Sequence, residues 1–391
     1  MACAPILIVG GGIAGPAAAI ALARAGIESV IYEASPPCRD VGGAFFNLAP
    51  NGLAVLRALA IDGIETLGFR NDRLVFRNDA GRVLAETAVG GVTLMRGALS
   101  RALRDAAEAR GVRVVHGQVL EAIHQDDGAV LARFADGTSV AAPALIGADG
   151  IHSRARASLL PSAPRPAYTG IVNLGGVLRT DLAPTGEAMH MIFGRRAFFG
   201  YAVRPSGDTY WFSNCRQKAE PSRETFLDAD AEAMRTRLLE LHRDDPPEVR
   251  RILQALRGPI GAWPIHDLPV LTTWHRGAAC LIGDAAHAIG PHVGQGVSLA
   301  LEDAYVVATC LREQRDPATA FAAFEARRRG RVTPVVKQSR RTGRQKAPSG
   351  WLGRKMRDLM LPTFLRMAAA GAQDLYRWTP PAWDPPLTSG T

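Results

Sequence analysis

Ile6-Leu7-Ile8-Val9-Gly10-Gly11-Gly12-Ile13-Ala14-Gly15-Pro16 is the stretch whose reading decides the fold. Four apolar, mostly β-branched residues predict a strand buried on both faces. Glycines follow, and then the Ala-rich run Pro16 to Ala25, a helix stopped by Gly26. A second apolar run, Ser29-Val30-Ile31-Tyr32, ends at Glu33. The whole reads as one strand–turn–helix–strand crossover. Gly10 permits a tight turn, Gly12 lets a pyrophosphate approach the backbone, and Gly15 lets the helix pack on the strand. Together with Ala14 they predict a dinucleotide phosphate at a helix N-terminus, where unpaired N–H groups and the positive dipole end favour an anion. Glu33, eighteen residues after Gly15, is placed to accept hydrogen bonds from the ribose of an adenosine.

The crossover does not say which dinucleotide. Farther along stand Cys280-Leu281-Ile282-Gly283-Asp284-Ala285-Ala286-His287, Pro291-His292-Val293-Gly294-Gln295-Gly296 and Ala300-Leu301-Glu302-Asp303-Ala304. Here the sequence resembles the para-hydroxybenzoate hydroxylase-like (group A) FAD-dependent aromatic monooxygenases. The resemblance implies that Asp284 binds a ribityl hydroxyl of FAD. It also implies that Pro291, Gly294 and Gly296 bring a helix N-terminus to the pyrimidine end of the flavin, where oriented N–H groups stabilise negative charge without a cation.

Other matches fall in the same order along the chain. Ala144 to Ser153, with its Asp149-Gly150 turn, resembles the fingerprint assigned to joint FAD and NAD(P)H handling. Arg96 resembles the arginine near the FAD phosphates and ribityl chain. Gly42-Gly43-Ala44 through Asn51-Gly52 resembles the segment beside the isoalloxazine, with Gly43 as its binding glycine. Phe324-Glu325-Ala326-Arg327 resembles an aromatic-Glu-x-x-Arg helix end. One departure is clear: many relatives carry an aromatic residue and an arginine where this chain has Asn173-Leu174-Gly175-Gly176, so no role for that arginine transfers.

The expected fold class is α/β: a Rossmann-like FAD-binding domain interlocked with a mostly antiparallel β-sheet substrate domain, and a C-terminal helical tail. Residues 1–70, 94–165 and 270–342 are assigned to the first, 71–93 and 166–269 to the second, 343–391 to the tail. A change of texture near Tyr168, to strand-like runs broken by Pro and Gly turns, marks the sheet domain. One helix is expected there, from about Arg223 to Leu241.

Composition narrows the rest. Of 391 residues, 47% are hydrophobic and 21% charged, close to an average soluble protein. No apolar run approaches the ~20 residues that cross a bilayer. Five scattered cysteines without a C-x-x-C pair favour reduced thiols in a cytoplasm. The nine histidines form no metal-binding array, so no metal is expected. Between Arg327 and Arg357 stand twelve Lys or Arg and no Asp or Glu, which leaves a net −3 for the remainder. This local run reads as a solvated helical face, with no nucleic-acid partner.

The resemblance implies an NAD(P)H-dependent flavoprotein monooxygenase of secondary metabolism, working as a monomer or homodimer. FAD stays bound, NAD(P)H visits, and dioxygen is activated as a flavin C4a-hydroperoxide that oxygenates an aromatic or polyketide-like molecule. No protein side chain is assigned a catalytic role. Two alternatives stay open: an FAD-dependent reductase of an unsaturated hydrophobic substrate, and an FAD-loaded sequestering protein. Tyr201, Tyr210 and Trp211 are candidates for substrate contact on the middle sheet. His287 and His292 read as capping or loop-packing residues before general bases, and Asp284 doubles as a possible helix N-cap. Arg195 and Arg196 read as surface charges of a hairpin. The tail beyond Trp351 is expected to pack on the body, with a membrane surface or the substrate mouth as its other settings.

Overall fold

The computed structural model describes residues 4–37, 44–126, 128–222, 230–345 and 351–383. Its centre is a six-stranded sheet in the order His275–Arg276, Ala279–Leu281, Leu145–Gly147, Ile6–Val9, Ser29–Glu33, Arg113–His116. All pairs are parallel except the first, a short hairpin. The strands are buried because helices cover the sheet: Ala14–Arg24 lies against Gly296–Glu313 and Arg96–Glu108. Parallel strands end at the same edge, so the turns after Val9, Glu33, Gly147 and Leu281 gather there. That edge is where open α/β sheets bind ligands.

The second layer is a seven-stranded sheet in the order Gly261–Asp267, Ala167–Arg179, Asp208–Arg216, Phe198–Val203, Ala188–Phe193, Arg73–Asn78, Val83–Ala88. It is antiparallel apart from the pair Ala188–Phe193 with Arg73–Asn78. Its outer face is packed by the helices Ala231–Leu241 and Pro247–Gln254, around Phe199, Trp211, Val249 and Ile252. The expected helix starts at Ala231, and residues 223–229 lie outside the described residues. Two small three-stranded sheets complete the fold: Leu120–Asp126, Ala129–Phe134 and Ser139–Ala142, and Phe45–Leu48, Val92–Met95 and Gly68–Arg70.

One correction falls on the basic run, while the tail packs on the body as expected. Phe198–Val203, the strand that carries Tyr201, is wholly buried at the sheet's middle. The basic run is a solvated face only in part: Arg327, Lys337 and Arg341 are exposed, but Arg328 is 1% exposed and bonds Glu302 and Asp303, while Arg329, Arg331 and Arg340 pair with Glu325, Glu302 and Asp267. The tail helix Trp351–Tyr376 lies against the edge strand Val83–Ala88, where Asn78 Nδ2 donates to Asp358 at 2.9 Å. Arg195 and Arg196 are surface residues, paired with Asp79 and Asp244. Cys215, Cys280 and Cys310 are buried free thiols. No helix among the described residues is long and apolar enough to cross a membrane.

Candidate active site

A cavity of about 720 Å³ is lined by residues of both sheets, Glu33 of the parallel sheet and Phe212 of the antiparallel one among them. The glycine turn forms one wall. Gly10 takes φ +110°, and a β-carbon there would stand 2.4 Å from the Ala148 carbonyl oxygen. Gly10 thus brings the first turn against the Ala148-Asp149 turn, joining two of the motifs. Gly15 is required for packing: its β-carbon would meet the Gly10 carbonyl at 1.9 Å. Gly12 faces open space in the cavity. Glu33 accepts the Gly11 N–H at 2.5 Å and the Ser35 N–H at 2.7 Å, which fixes its carboxylate at the cavity wall.

Two helix N-termini face this space without caps. Ala14–Arg24 begins at Ile13 and Gly296–Glu313 at Gln295; neither residue makes a side-chain capping bond, and neither first turn holds an acid. Ala14, Gly294 and Gly296 line the cavity. Unpaired N–H groups at a helix start make an anion site. Asp284 is not a cap. Gly283 holds that position, and the Asp284 carboxylate lines the cavity without a hydrogen bond from any described residue. The residues fit an FAD: open backbone for a pyrophosphate, acids for hydroxyls, and a second helix N-terminus.

Arg96 begins the helix Arg96–Glu108 and lines the cavity; its N–H donates to Ala44 at 3.2 Å. Asp149 also lines it, but its carboxylate is engaged. It accepts from Ser153 Oγ at 2.5 Å and from the N–H groups of Arg154 and Ala155 at 2.7 and 3.0 Å, at the start of the helix Arg154–Leu159 that Ser153 caps. Burial raises its pKa, and these bonds act against the rise. Beside it His152 stands 5.4 Å from His266 ring to ring. Burial lowers the pKa of His152, with His266 and Arg156 adding to the effect. Pro291 and His292 line the cavity. His287 does not. Gly43 lies outside the described residues, while Ala44 to Asn47 from its segment form part of the wall.

The three aromatic candidates are placed elsewhere. Along Asp208–Arg216 side chains alternate between faces. Phe212 and Asn214 reach the cavity, and Trp211 points the opposite way, 1% exposed against Phe199. Tyr201 is 3% exposed in the same outer core, with its hydroxyl 3.4 Å from Arg77; burial pushes its pKa up to about 12. Tyr210 has the cavity-side parity but is packed by Phe69 and Phe45 and does not line the cavity. The sheet's contribution comes instead from Met189, Met191, Phe212, Trp263 and a set of asparagines, Asn71, Asn173 and Asn214. Parity from the buried Trp211 would have pointed to Phe212 and Asn214; no local signal marks Asn71. Tyr376, at the end of the tail helix, also lines the cavity.

The model of a family described as "FAD binding domain" matches residues 3–339. An FAD-dependent urate hydroxylase of Klebsiella pneumoniae is 30% identical over 349 residues, 86% of this chain and 88% of that one. The aurachin C monooxygenase/isomerase of Stigmatella aurantiaca is 29% identical over 370 residues, 91% and 94% of the two chains. The crystal structure of Klebsiella pneumoniae HpxO with FAD and uric acid superposes with a TM-score of 0.79 at 27% identity, covering 96% of this chain and 93% of that one.

Proposed function

Because the chain belongs to the para-hydroxybenzoate hydroxylase-like family of FAD-dependent hydroxylases, we propose that it uses NAD(P)H and dioxygen to hydroxylate an aromatic or polyketide-like small molecule taken into the sheet end of its cavity. It is an FAD-dependent flavoprotein monooxygenase. We place it in the cytoplasm as a monomer or homodimer, in two interlocked domains with the boundaries read from the sequence. The observation that carries the reading is one cavity on which two uncapped helix N-termini, a free Asp284 carboxylate and an amide-bearing sheet wall converge.

In this assignment the Gly10–Gly15 turn and the start of Ala14–Arg24 hold the pyrophosphate of FAD, Glu33 its adenosine ribose, and Arg96 the phosphate and ribityl region. Asp284 receives a ribityl hydroxyl, and the start of Gly296–Glu313 faces the pyrimidine ring. Asp149, held by the start of the helix Arg154–Leu159, stands in the wall as a further cofactor contact. When bound, FAD supplies the redox and oxygen-transfer chemistry. The chain's residues orient the substrate and exclude water, and the apolar wall of Met189, Met191 and Phe212 serves that exclusion.

The test is to purify the protein, record its visible spectrum, and follow NAD(P)H oxidation and dioxygen uptake while screening aromatic and polyketide compounds. Bound FAD, substrate-stimulated oxidation and a product heavier by one oxygen atom are expected. Colourless protein that cannot be reconstituted with FAD would overturn the reading. A tightly bound ligand that never stimulates oxidation would favour the sequestering alternative, and a product with a saturated bond the reductase. Asp284→Ala is expected to weaken FAD binding about tenfold or more while changing the stability of the FAD-free protein by no more than about 0.5 kcal/mol.

A further inference from the structure

Across the cavity face of the seven-stranded sheet, one row of paired residues reads Gly261, Gly175, Phe212, Gly200, Met191. Three of the five are glycines, which weaken a strand interior and mark a close approach. None of the three takes a positive φ, so the backbone does not call for them. Two of them lie under rings. A β-carbon on Gly200 would stand 2.2 Å from Phe212 Cε1 and 2.5 Å from Cζ, and its three nearest atoms all belong to that ring. A β-carbon on Gly261 would stand 2.2 Å from Trp263 Cη2, with the Gly175 carbonyl next after that ring at 3.0 Å. Strand side chains ordinarily stand up from the sheet. Here Phe212 lies across Gly200 of the neighbouring strand, and Trp263 lies back along its own strand over Gly261.

Between the two rings the row is bare, because Gly175 has no side chain, and Gly175 lines the cavity with Phe212 and Trp263. Both rings are half-buried, so each keeps surface open to the cavity. The row thus forms a recess, floored by backbone and bounded by two rings lying low. From Gly261 to Gly200 is three strand spacings, about 14 Å, a span that suits fused rings better than one. Asn173 and Asn214 of the adjoining row also line the cavity. The recess selects shape, whereas charge on a ligand falls to Arg96, His152, Arg154 and His292, which line the same cavity.

We infer that the recess takes a planar, fused aromatic ring system, and that Gly200 and Gly261 set its depth by giving Phe212 and Trp263 room to lie down. Rings that stood up would fill the space the glycines clear. Rings that lie down offer π-surface to a partner that is itself flat. A saturated ring of the same skeleton is puckered and carries hydrogens on both faces, so it seats poorly. Gly200 and Gly261 do not line the cavity; they are positioning residues that act through Phe212 and Trp263. This rests on the proposed function for the ligand's being a substrate, and names the class of that substrate.

Calorimetric titration of the FAD-loaded protein with 2-naphthol and 5,6,7,8-tetrahydro-2-naphthol tests it, since the two share a skeleton and a hydroxyl and differ in the flatness of one ring. The parent is expected to bind the naphthol about tenfold or more tighter, through contacts with two aromatic rings. Phe45 and Phe198 flank the Phe212 ring at 6.1 Å each, so a ring displaced from Gly200 moves toward the cavity. Gly200→Ala should therefore weaken the naphthol and bring the two probes within about threefold of each other. In a Phe212→Val background there is no ring to displace, and adding Gly200→Ala should change neither affinity by more than about twofold. Should Gly200→Ala not retain FAD, Gly261→Ala carries the same comparison through Trp263. A glycine serving only the sheet would give a lowered Tm with the naphthol preference intact, which overturns the inference. Equal binding of the two probes by the parent, no binding of either, or an undiminished effect of Gly200→Ala beside Phe212→Val overturns it as well. NAD(P)H oxidation recorded beside the titrations separates the two readings. A preference for the flat probe without any stimulated oxidation leaves this inference standing and removes the monooxygenase; stimulated oxidation without that preference does the reverse.

Discussion

The Asp303 carboxylate stands 2.5 Å from His287 Nε2, joining the helix Gly296–Glu313 to the loop that carries Asp284. The same carboxylate accepts the Gly283 N–H at 2.9 Å and Arg328 Nε at 2.7 Å. Its neighbour Glu302 accepts from Asn51 at 2.7 Å and from Arg328 and Arg331, and Arg331 also donates to the Leu375 carbonyl at 2.7 Å. A buried network thus runs from the Gly283-Asp284 turn to the end of the tail helix. It settles His287 as a structural residue: the ring is 5% exposed and sealed behind the cavity wall.

Asp303 makes that network sensitive to acid. Burial alone would raise its pKa, but His287 and Arg328 hold it down to about 2, below the ordinary 3.8. A carboxyl depressed on folding stabilises the protein fully above its unfolded pKa, and that stability is lost as pH falls from about 4 through 2. A shift of this size corresponds to roughly 2–3 kcal/mol. Asp303→Asn should lose about 3–5 kcal/mol at neutral pH by leaving Arg328 partly uncompensated. Its urea-unfolding stability should then fall less steeply between pH 4 and 2 than the parent's. An identical acid limb in the two proteins would exclude Asp303 as the responsible group.

The glycines of the first turn should separate into two classes. Gly15→Ala forces a β-carbon to 1.9 Å from the Gly10 carbonyl, against backbone that cannot yield cheaply. We expect a loss of about 3 kcal/mol or more, seen as a lowered Tm even without FAD. Gly12→Ala meets nothing within 4 Å and adds its methyl to the cavity wall. It should fold normally and bind FAD at least about tenfold more weakly. Equal damage to folding by both would mean that Gly12 serves packing and not a ligand.

Tyr201 and Trp211 show where the sequence stopped being legible. The crossover and the Gly-Asp loop could be read because their glycines and acids are demanded locally, by a turn, a close approach or a helix start. The parallel sheet follows from the same local units. The middle sheet has no such marker: an apolar strand residue does not reveal whether a helix or a ligand covers its face. The helices Ala231–Leu241 and Pro247–Gln254 cover the outer face and claim Trp211 and Tyr201 for a core. Asn71 escaped notice because an asparagine between strands reads as an ordinary turn residue until its burial is known. The expected consequence is that Tyr201→Phe leaves kcat/KM unchanged and costs about 1 kcal/mol of stability through the lost Arg77 contact. A drop in kcat/KM of tenfold with stability intact would return Tyr201 to the list of ligand contacts.

Tyr376 places the tail at the cavity, and its anchors allow its ring to be tested alone. The preceding Leu375 carbonyl is held by Arg331, and Trp378 lies under the guanidinium groups of Arg328 and Arg331 at 5.8 and 5.6 Å. None of these contacts uses the Tyr376 side chain, so Tyr376→Ala opens the wall while the helix end stays fixed. In a flavoprotein monooxygenase a wall that excludes water protects oxygen transfer from wasteful loss of peroxide. We expect Tyr376→Ala to retain FAD, to consume NAD(P)H at a comparable rate, and to release several times more hydrogen peroxide per product formed. Tyr376→Phe keeps the ring and loses only the hydroxyl, so it should stay coupled if shielding is the role. Leakage as large in Tyr376→Phe as in Tyr376→Ala would assign the work to the hydroxyl instead. Unchanged coupling in both would show that the tail helix closes nothing.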